Sequence, residues 1–234
     1  MKIALVSSFV PFINGGARFI VEWLEEKPLE HGHQVERFYL PFSDGSPALL
    51  DQLAAYRLMD LSHACDRLIA FRPPAYGLQH PNKVLWFIHH LRIYYDLWDA
   101  PHGKRSDQPH DVALKAALQR FDAATLGEAR AIYTNSKIVS KRLETFNGLK
   151  SQPLYPPIFR PERFRCDGYG DEILAVCRVE PHKRQALLVE AMAHVKTPVR
   201  LRLCGKSGHS AYGEALQARI VDLQLSDRIA FENR

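Results

Sequence analysis

Residues 172 to 204 read EILAVCRVEPHKRQALLVEAMAHVKTPVRLRLC, and this stretch contains in order a strand, a turn, a helix and a second strand. The apolar runs Glu172 to Cys177 and Val199 to Cys204 have the length of buried strands, and residues 184 to 195 place apolar side chains at helical spacing. Such a β-α-β unit is typical of a parallel sheet that helices cover on both faces. The stretch therefore predicts an α/β fold.

The same alternation extends along the rest of the chain. Further strands are predicted at Lys2 to Val6, Gln34 to Leu40, Arg67 to Phe71, Lys83 to Ile88, Ala131 to Thr134 and Arg228 to Phe231. Further helices are predicted at Ala17 to Glu30, Pro47 to Leu61, His110 to Arg130, Ser136 to Phe146 and Tyr212 to Leu223. Pro28 lies inside the first helical pattern, and we expect it to end or kink that helix near Lys27.

A proline-rich segment, YPPIFRP at residues 155 to 161, predicts an extended linker, because proline fixes φ and has no amide hydrogen. We predict an N-terminal Rossmann-like domain over 1–157, a linker over 158–170 and a partial second Rossmann-like domain over 171–234. The second domain shows three strands where a doubly wound domain has about five or six. We therefore expect a fragment or truncated chain, whose last strand leaves apolar sheet surface and an unpaired edge that favour aggregation.

Composition excludes several classes of protein. The chain has 234 residues, of which 46% are hydrophobic and 24% charged, as in globular proteins. Its longest apolar stretches have only strand length, and the first residues lack a leader pattern, so we expect a cytoplasmic protein. The net charge of +5 suits an anionic ligand or peripheral contact with an anionic membrane. The runs of basic residues are too short to follow the phosphate backbone of a nucleic acid.

The four cysteines, Cys65, Cys166, Cys177 and Cys204, are far apart in the sequence. Their spacing indicates neither a zinc site nor a disulfide framework. Cys177 and Cys204 lie in apolar runs, which favours their interpretation as small core side chains.

Three segments combine a predicted strand end with polar or glycine residues. Gly15 and Gly16 precede the first helix, where backbone amides could approach an anion or a sugar, although a plain tight turn is as good an interpretation. His89, His90 and Arg92 follow a buried strand, at the sheet edge where open α/β sheets bind ligands; a structural role for a lone histidine is the alternative. The histidines at positions 80, 89, 90, 102 and 110 lack the helical spacing of a zinc motif.

The third segment follows the strand Glu172 to Cys177. Arg178 and Lys183 are five residues apart across a turn that leads into a helix, so both could reach an anion at the helix N-terminus. A solvated basic turn is the alternative. Gly205 and Lys206 close the next strand in the same way, which predicts a second phosphate-facing or sugar-facing loop on this edge.

Together these segments resemble the family 4 glycosyltransferases of the GT-B fold, which pair two Rossmann-like domains. The similarity runs along essentially the whole chain, and its most specific part is RVEPHKR at 178–184. Residues 89 to 98 resemble a subgroup pattern H-x-x-R-x-x-Y-D-L-W, which favours His89 over His90 as the site histidine. The other matching segments are GG at 15–16, GHQV at 32–35, TNS at 134–136 and LYPP at 154–157.

The resemblance implies a retaining glycosyltransferase that moves a sugar from a nucleotide-diphosphate sugar to a glycan or lipid-linked acceptor, without a metal or a further cofactor. Arg178 and Lys183 would hold the diphosphate, and Gly15 and Gly16 would line the cleft. His89 would lie beside the transferred sugar without acting as the base, since the departing diphosphate can accept the proton. The remaining donor-binding residues are expected to be Arg92, Asn135, Ser136, Gly205 and Lys206.

Two departures from the family pattern leave alternatives open. Cys177 stands where a glycine is usual, which is tolerable if its φ is negative. The E-x7-E motif of the family is expected beyond residue 234, and the pairs Glu22 with Glu30 and Glu172 with Glu180 are in the wrong places. A nucleotide-sugar epimerase of the same architecture, or a non-catalytic nucleotide-binding remnant, therefore remains as an alternative function.

Overall fold

The computed structural model describes residues 1–9, 15–45, 47–100, 106–158, 160–206 and 210–232. The chain divides into two compact units, Met1–Pro161 and Glu162–Arg234. Parallel strands and helices alternate in each unit, so the predicted α/β class is confirmed. Within the described residues no helix has the length and apolar character needed to cross a membrane.

The first unit is built around a parallel sheet with the strand order β2-β1-β3-β4-β5-β6. Its strands are β1 (Lys2–Phe9), β2 (Gln34–Pro41), β3 (Arg67–Ala70), β4 (Lys83–Phe87), β5 (Ala131–Thr134) and β6 (Gln152–Pro153). Its helices are α1 (Gly16–Glu30), α2 (Leu49–Leu58), α3 (Pro109–Leu126) and α4 (Lys137–Asn147). The two-residue strand β6 was not predicted, because it contains a proline and no apolar run.

Side chains of the strands alternate between two cores, as the period of two requires. One face of the sheet packs against helices α2, α3 and α4, through a cluster that includes Val6, Leu68, Leu85, Tyr56, Leu126 and Leu143. The opposite face packs against α1, through a cluster that includes Leu5, Trp86, Ile88 and Val21. Burial on both faces holds the carboxyl ends of the strands in register, and the loops that follow them carry the candidate site of this unit.

Pro28 was expected to end or kink helix α1 near Lys27. The helix does not end there but continues to Glu30. Proline lacks an amide hydrogen, yet its carbonyl still accepts hydrogen bonds. The amides of His31 and His33 donate to the Pro28 carbonyl at 3.1 and 3.0 Å, and Gly32, with φ of 75°, turns the chain toward β2. Pro28 is tolerated because it lies in the last turn, where its carbonyl helps to terminate the helix.

The second unit contains a parallel sheet with the order β7-β8-β9. Its elements are β7 (Glu172–Val176), α5 (Gln185–His194), β8 (Arg200–Cys204), α6 (Ser210–Asp222) and β9 (Ile229–Glu232). Both helices pack on one face of this sheet, through Val189, Met192, Leu216, Ile220, Leu201, Leu203 and Ile229.

We expected the last strand to leave an unpaired edge and apolar sheet surface. Among the described residues β9 is an edge strand, but the exposed apolar sheet surface lies on β7. Leu174 and Val176 are 60% and 71% exposed, whereas Ile229 of β9 is buried. The reason is that α5 and α6 cover the opposite face, and β7 has β8 as its only paired neighbour among the described residues. The expectation that this apolar strand is covered on both faces is therefore wrong for the part of the chain described.

Candidate functional site

The turn after β7 carries a cluster of charged side chains. The Nη1 atom of Arg178 lies 2.6 Å from Oε1 of Glu180, and Nδ1 of His182 lies 3.2 Å from the other oxygen of the same carboxylate. Glu180 is mostly buried, whereas the Arg178 side chain is more than half exposed. One carboxylate thus orients the guanidinium while leaving most of it open to solvent.

Lys183 closes the 3-10 turn Pro181–Lys183, which is stabilised by a bond from the Lys183 amide to the Glu180 carbonyl at 2.9 Å. Its side chain is exposed, and among the described residues it has no hydrogen-bond partner. Arg184 then adopts the left-handed region, with φ of 62°, and α5 begins at the next residue. Lys183 therefore lies immediately before the N-terminus of α5, where the helix dipole also favours an anion.

Gly205 brings the turn after β8 against the turn after β7. A Cβ atom at Gly205 would lie 1.8 Å from the Cys177 carbonyl oxygen, so only glycine permits this approach. The Val179 amide donates to the Lys206 carbonyl at 3.1 Å, which places exposed Lys206 beside the Arg178 turn. Residues 207 to 209 of the predicted loop lie outside the described residues. Three predicted donor-binding cations therefore lie on two adjoining turns.

Cys177, which stands where the glycosyltransferases that the sequence resembles usually have glycine, does not have a positive φ angle. Its sulfur lies 3.2 Å from the Nε2 atom of Gln185 in α5. Both Cys177 and Cys204 are half-buried rather than fully buried core residues. The thiol of Cys177 thus contacts the first residue of the helix.

His89 follows the end of β4 in the first unit. Its Nδ1 atom lies 2.7 Å from the His90 carbonyl oxygen, which accepts only, so Nδ1 carries the hydrogen. Burial and the nearby Arg72 lower the pKa of His89 to about 4. The ring is therefore neutral at pH 7, with Nε2 as a hydrogen-bond acceptor.

His90 points into the core instead. Its ring packs against the rings of Phe87, Tyr95 and Phe146, and its Nε2 lies 2.8 Å from Oδ1 of Asn147. Burial lowers the pKa of His90. Its contacts are those of a core histidine, whereas His89 is only partly buried.

Arg92 lies in a short 3-10 helix, Arg92–Tyr94, after His90. Its guanidinium pairs with Asp96, with Nη2 at 2.7 Å from Oδ2, and Arg142 approaches the same carboxylate at 3.2 Å. Although burial opposes it, hydrogen bonding to Arg92 lowers the pKa of Asp96. Arg92 and Arg142 thus share one carboxylate, and this group of three side chains keeps a net positive charge.

Asn135 and Ser136 follow β5. The backbone amide of Asn135 donates to the Phe87 carbonyl at 3.3 Å, so Asn135 lies beside the end of β4. Its Oδ1 atom is buried and has no hydrogen-bond partner among the described residues. The Ser136 hydroxyl accepts a bond from the Val139 amide at 3.3 Å, and thus caps helix α4. Capping of α4 explains why residue 136 is a serine. The Oδ1 atom of Asn135 is available to accept a hydrogen bond from a ligand.

Gly15 is the N-cap of α1 and Gly16 its first residue. A Cβ atom at either position would meet nothing within 4 Å in the described structure, and Gly15 has an extended φ of −165°. Packing within the described residues thus does not require glycine at either position. The preceding loop, residues 10 to 14, lies outside the described residues.

Sequence reasoning missed two residues that shape these sites. Arg72 lies two residues after the end of β3 and lowers the pKa of His89. Gln185 begins α5 and is 1% exposed. The sequence signal for both residues was weak, since it consisted only of a polar residue near a strand end or at a helix start.

The described residues contain no group of three or more His, Cys, Asp or Glu side chains placed to bind a metal.

No family model matches the sequence, and no curated protein matches it either. Solved structures of glycosyltransferases are nevertheless similar in fold. HepE of Anabaena, solved with UDP and glucose, is 17% identical with a TM-score of 0.64 over 99% of this chain and 69% of that chain. The lipopolysaccharide outer core galactosyltransferase WaaB is 15% identical with a TM-score of 0.60 over 100% of this chain and 68% of that chain.

A third similar structure is the catalytic domain of starch synthase IV from Arabidopsis thaliana, solved with ADP and acarbose. It is 9% identical, with a TM-score of 0.59 over 100% of this chain and 74% of that chain. At these identities the likeness concerns the fold alone. The chain thus has an α/β fold with parallel sheets that matches the GT-B glycosyltransferases of known structure.

Proposed function

We propose that this chain is a retaining glycosyltransferase that moves a sugar from a nucleotide-diphosphate sugar to a glycan or lipid-linked acceptor. The observation that carries the proposal is the pair of exposed lysines, Lys183 and Lys206, on adjoining turns with Arg178 at the carboxyl edge of the second sheet. The ammonium group of neither lysine has a hydrogen-bond or ion-pair partner among the described residues. The similarity in fold to structures solved with UDP or ADP supports the choice of a nucleoside diphosphate.

In this proposal Arg178 and Lys183 hold the diphosphate against the N-terminus of α5, and Lys206 approaches from the neighbouring turn. Charge-assisted hydrogen bonds of this type are about twice as strong as neutral ones. The helix dipole adds to the attraction within its first turn. Glu180 keeps the Arg178 guanidinium in place before the ligand arrives.

The reaction we propose breaks the bond between the sugar C1 and the diphosphate oxygen, and forms a bond from C1 to the acceptor hydroxyl oxygen on the same face. The hydroxyl proton passes to an oxygen of the departing diphosphate. Negative charge grows on that diphosphate in the transition state, so fixed cations stabilise the transition state more than the ground state. No metal is required for this step.

His89 contributes by binding in this scheme. The neutral ring offers Nε2 as an acceptor for a sugar hydroxyl, and a pKa of about 4 makes it a weak base at pH 7. Asn135, whose buried Oδ1 is open, offers a second acceptor after the neighbouring strand. We further propose that the protein works in the cytoplasm, in polysaccharide or glycoconjugate assembly, with peripheral contact to anionic membranes.

The proposal is tested by thermal unfolding of the chain with UDP, GDP, ADP or dTDP. A ligand at 100 times its dissociation constant stabilises the folded state by about 2.7 kcal/mol. We expect one diphosphate to raise the melting temperature, and Arg178→Ala and Lys183→Ala each to reduce the increase strongly. Lys196→Ala is the matched control. Lys196 is an exposed cation between α5 and β8, at the amino-terminal end of the parallel strands, whereas the proposed site is at their carboxyl end.

A melting temperature unchanged by all four nucleotides would contradict the proposal. If one nucleotide does bind, we expect the chain to consume the corresponding nucleotide sugar only when an acceptor is present. Consumption without an acceptor would favour an epimerase or a hydrolase, and binding without consumption would favour a non-catalytic nucleotide-binding protein.

A further inference from the structure

Gln185, the first residue of α5, is a buried polar side chain in a turn whose other polar side chains reach solvent. Its Nε2 atom donates to the Arg178 carbonyl at 2.8 Å and approaches the Cys177 sulfur at 3.2 Å. A carbonyl only accepts hydrogen bonds, so the amide must present its nitrogen to Arg178. The orientation of the Gln185 amide is therefore settled by its partner.

The Oε1 atom of Gln185 is buried and has no hydrogen-bond partner among the described residues. An acceptor in this situation destabilises the folded protein, because it has given up its bonds to water. A leucine would fill a similar volume without that cost. The contribution specific to glutamine is thus the bond from Nε2 to the turn after β7.

That bond closes the turn into a ring. Arg178 is at one end of the turn and Gln185 at the other, and Lys183 lies two residues before Gln185. Within the ring, the amides of Lys183 and Arg184 donate to the carbonyls of Glu180 and Pro181 at 2.9 and 3.0 Å. The backbone positions of both cations are thereby coupled to one buried side chain.

We infer that Gln185 is a positioning residue, which holds the backbone of Arg178 at the N-terminus of α5 and so sets its distance from Lys183 to suit two adjacent phosphate groups. The inference rests on the proposed function, because it assigns Gln185 to the same anion site. Gln185 itself need not touch the ligand. Its effect is that both cations are preorganised before the diphosphate binds.

The test uses the whole chain and UDP as the probe, or whichever of the four diphosphates stabilises it. Gln185→Leu keeps the volume but removes the donor, and we expect the dissociation constant to rise about tenfold, as the loss of one hydrogen bond allows. Gln185→Glu removes the donor only when its carboxyl is ionised. At pH 5 a protonated buried carboxyl can again donate to the Arg178 carbonyl, so affinity should approach that of the unchanged chain, and at pH 8 it should fall.

Affinities are compared as the ratio of variant to unchanged chain at each pH, since the terminal phosphate of UDP titrates near pH 6. A double-mutant cycle with Lys183→Ala gives a readout that general destabilisation would not change. If Gln185 positions Lys183, the effect of Lys183→Ala should be several-fold smaller in the Gln185→Leu background. Gln217→Leu and Gln217→Glu, on the exposed face of α6, are the matched controls.

Each outcome bears on a separate claim. Equal UDP affinity in the unchanged chain and both Gln185 variants, or an additive double-mutant cycle, would overturn the positioning role and leave the proposed function standing. Absence of binding to every diphosphate by the unchanged chain would overturn the proposed function and the positioning role with it. Should Gln185→Leu fail to fold, Gln185→Met, which also lacks the donor and adds no charge, replaces it in the affinity comparison and in the double-mutant cycle.

Discussion

Asp122 in α3 shows how one buried side chain makes stability depend on pH. It is fully buried and accepts hydrogen bonds from the hydroxyls of Tyr76 and Tyr95 at 2.6 and 2.7 Å. Burial raises its pKa from 3.8 to about 6, because two hydroxyl donors offset only part of the lost hydration. The folded chain therefore binds this proton more tightly than the unfolded chain, and the stabilisation is lost as pH rises from about 4 through about 6.

Asp122→Asn removes this titration. We expect the free energy of unfolding of the unchanged chain, relative to the variant, to fall by about 1 kcal/mol between pH 5 and pH 7.5. Urea unfolding at the two pH values measures the difference, and titrating groups common to both proteins cancel. A difference that is the same at both pH values would show that Asp122 does not titrate in this range.

The turns that follow β7 and β8 illustrate how two elements depend on one glycine. Because a Cβ at Gly205 would lie 1.8 Å from the Cys177 carbonyl, Gly205→Ala must push the two turns apart. We expect a loss of more than about 2 kcal/mol in the free energy of unfolding and loss of nucleotide binding. Gly170→Ala, where the nearest atom would be 4.0 Å away, is the control and should change stability little. Denaturant unfolding of both variants checks this, and equal stabilities would contradict it.

At the scale of the whole molecule, we expect the edge strand β7 to limit solubility. Among the described strands it pairs only with β8, and it exposes Leu174 and Val176, a combination that favours pairing with another chain. We expect concentration-dependent self-association that Leu174→Lys reduces. Ala230→Lys adds the same charge to the opposite edge strand β9 and should have little effect. Sedimentation velocity over a range of concentrations measures both. An equal reduction by both variants would mean that net charge, and not the β7 edge, controls association.

Periodicity in the sequence predicted most of the fold. Eight strands and six helices were expected at positions that agree with the observed elements, because the alternating apolar pattern reports burial directly. The misses have local causes. Strand β6 is too short to produce a pattern, and Pro28 is tolerated because of its position in the last turn of α1. The bare face of β7 depends on which elements pack near it, which no local pattern records.

The order of apolar and polar residues was enough to predict the α/β class and the strand-end turns that carry His89, Arg178 and Lys183, because each of these features depends on neighbours in the chain. Contacts between distant residues required the tertiary structure. Only there does Gly205 lie against Cys177, and only there does Gln185 bond to the Arg178 carbonyl. Likewise, the orientation of His90 into an aromatic cluster depends on Phe146 from another helix. Hydrogen bonding and close packing act over a few ångströms in space, and separation along the chain does not reveal them.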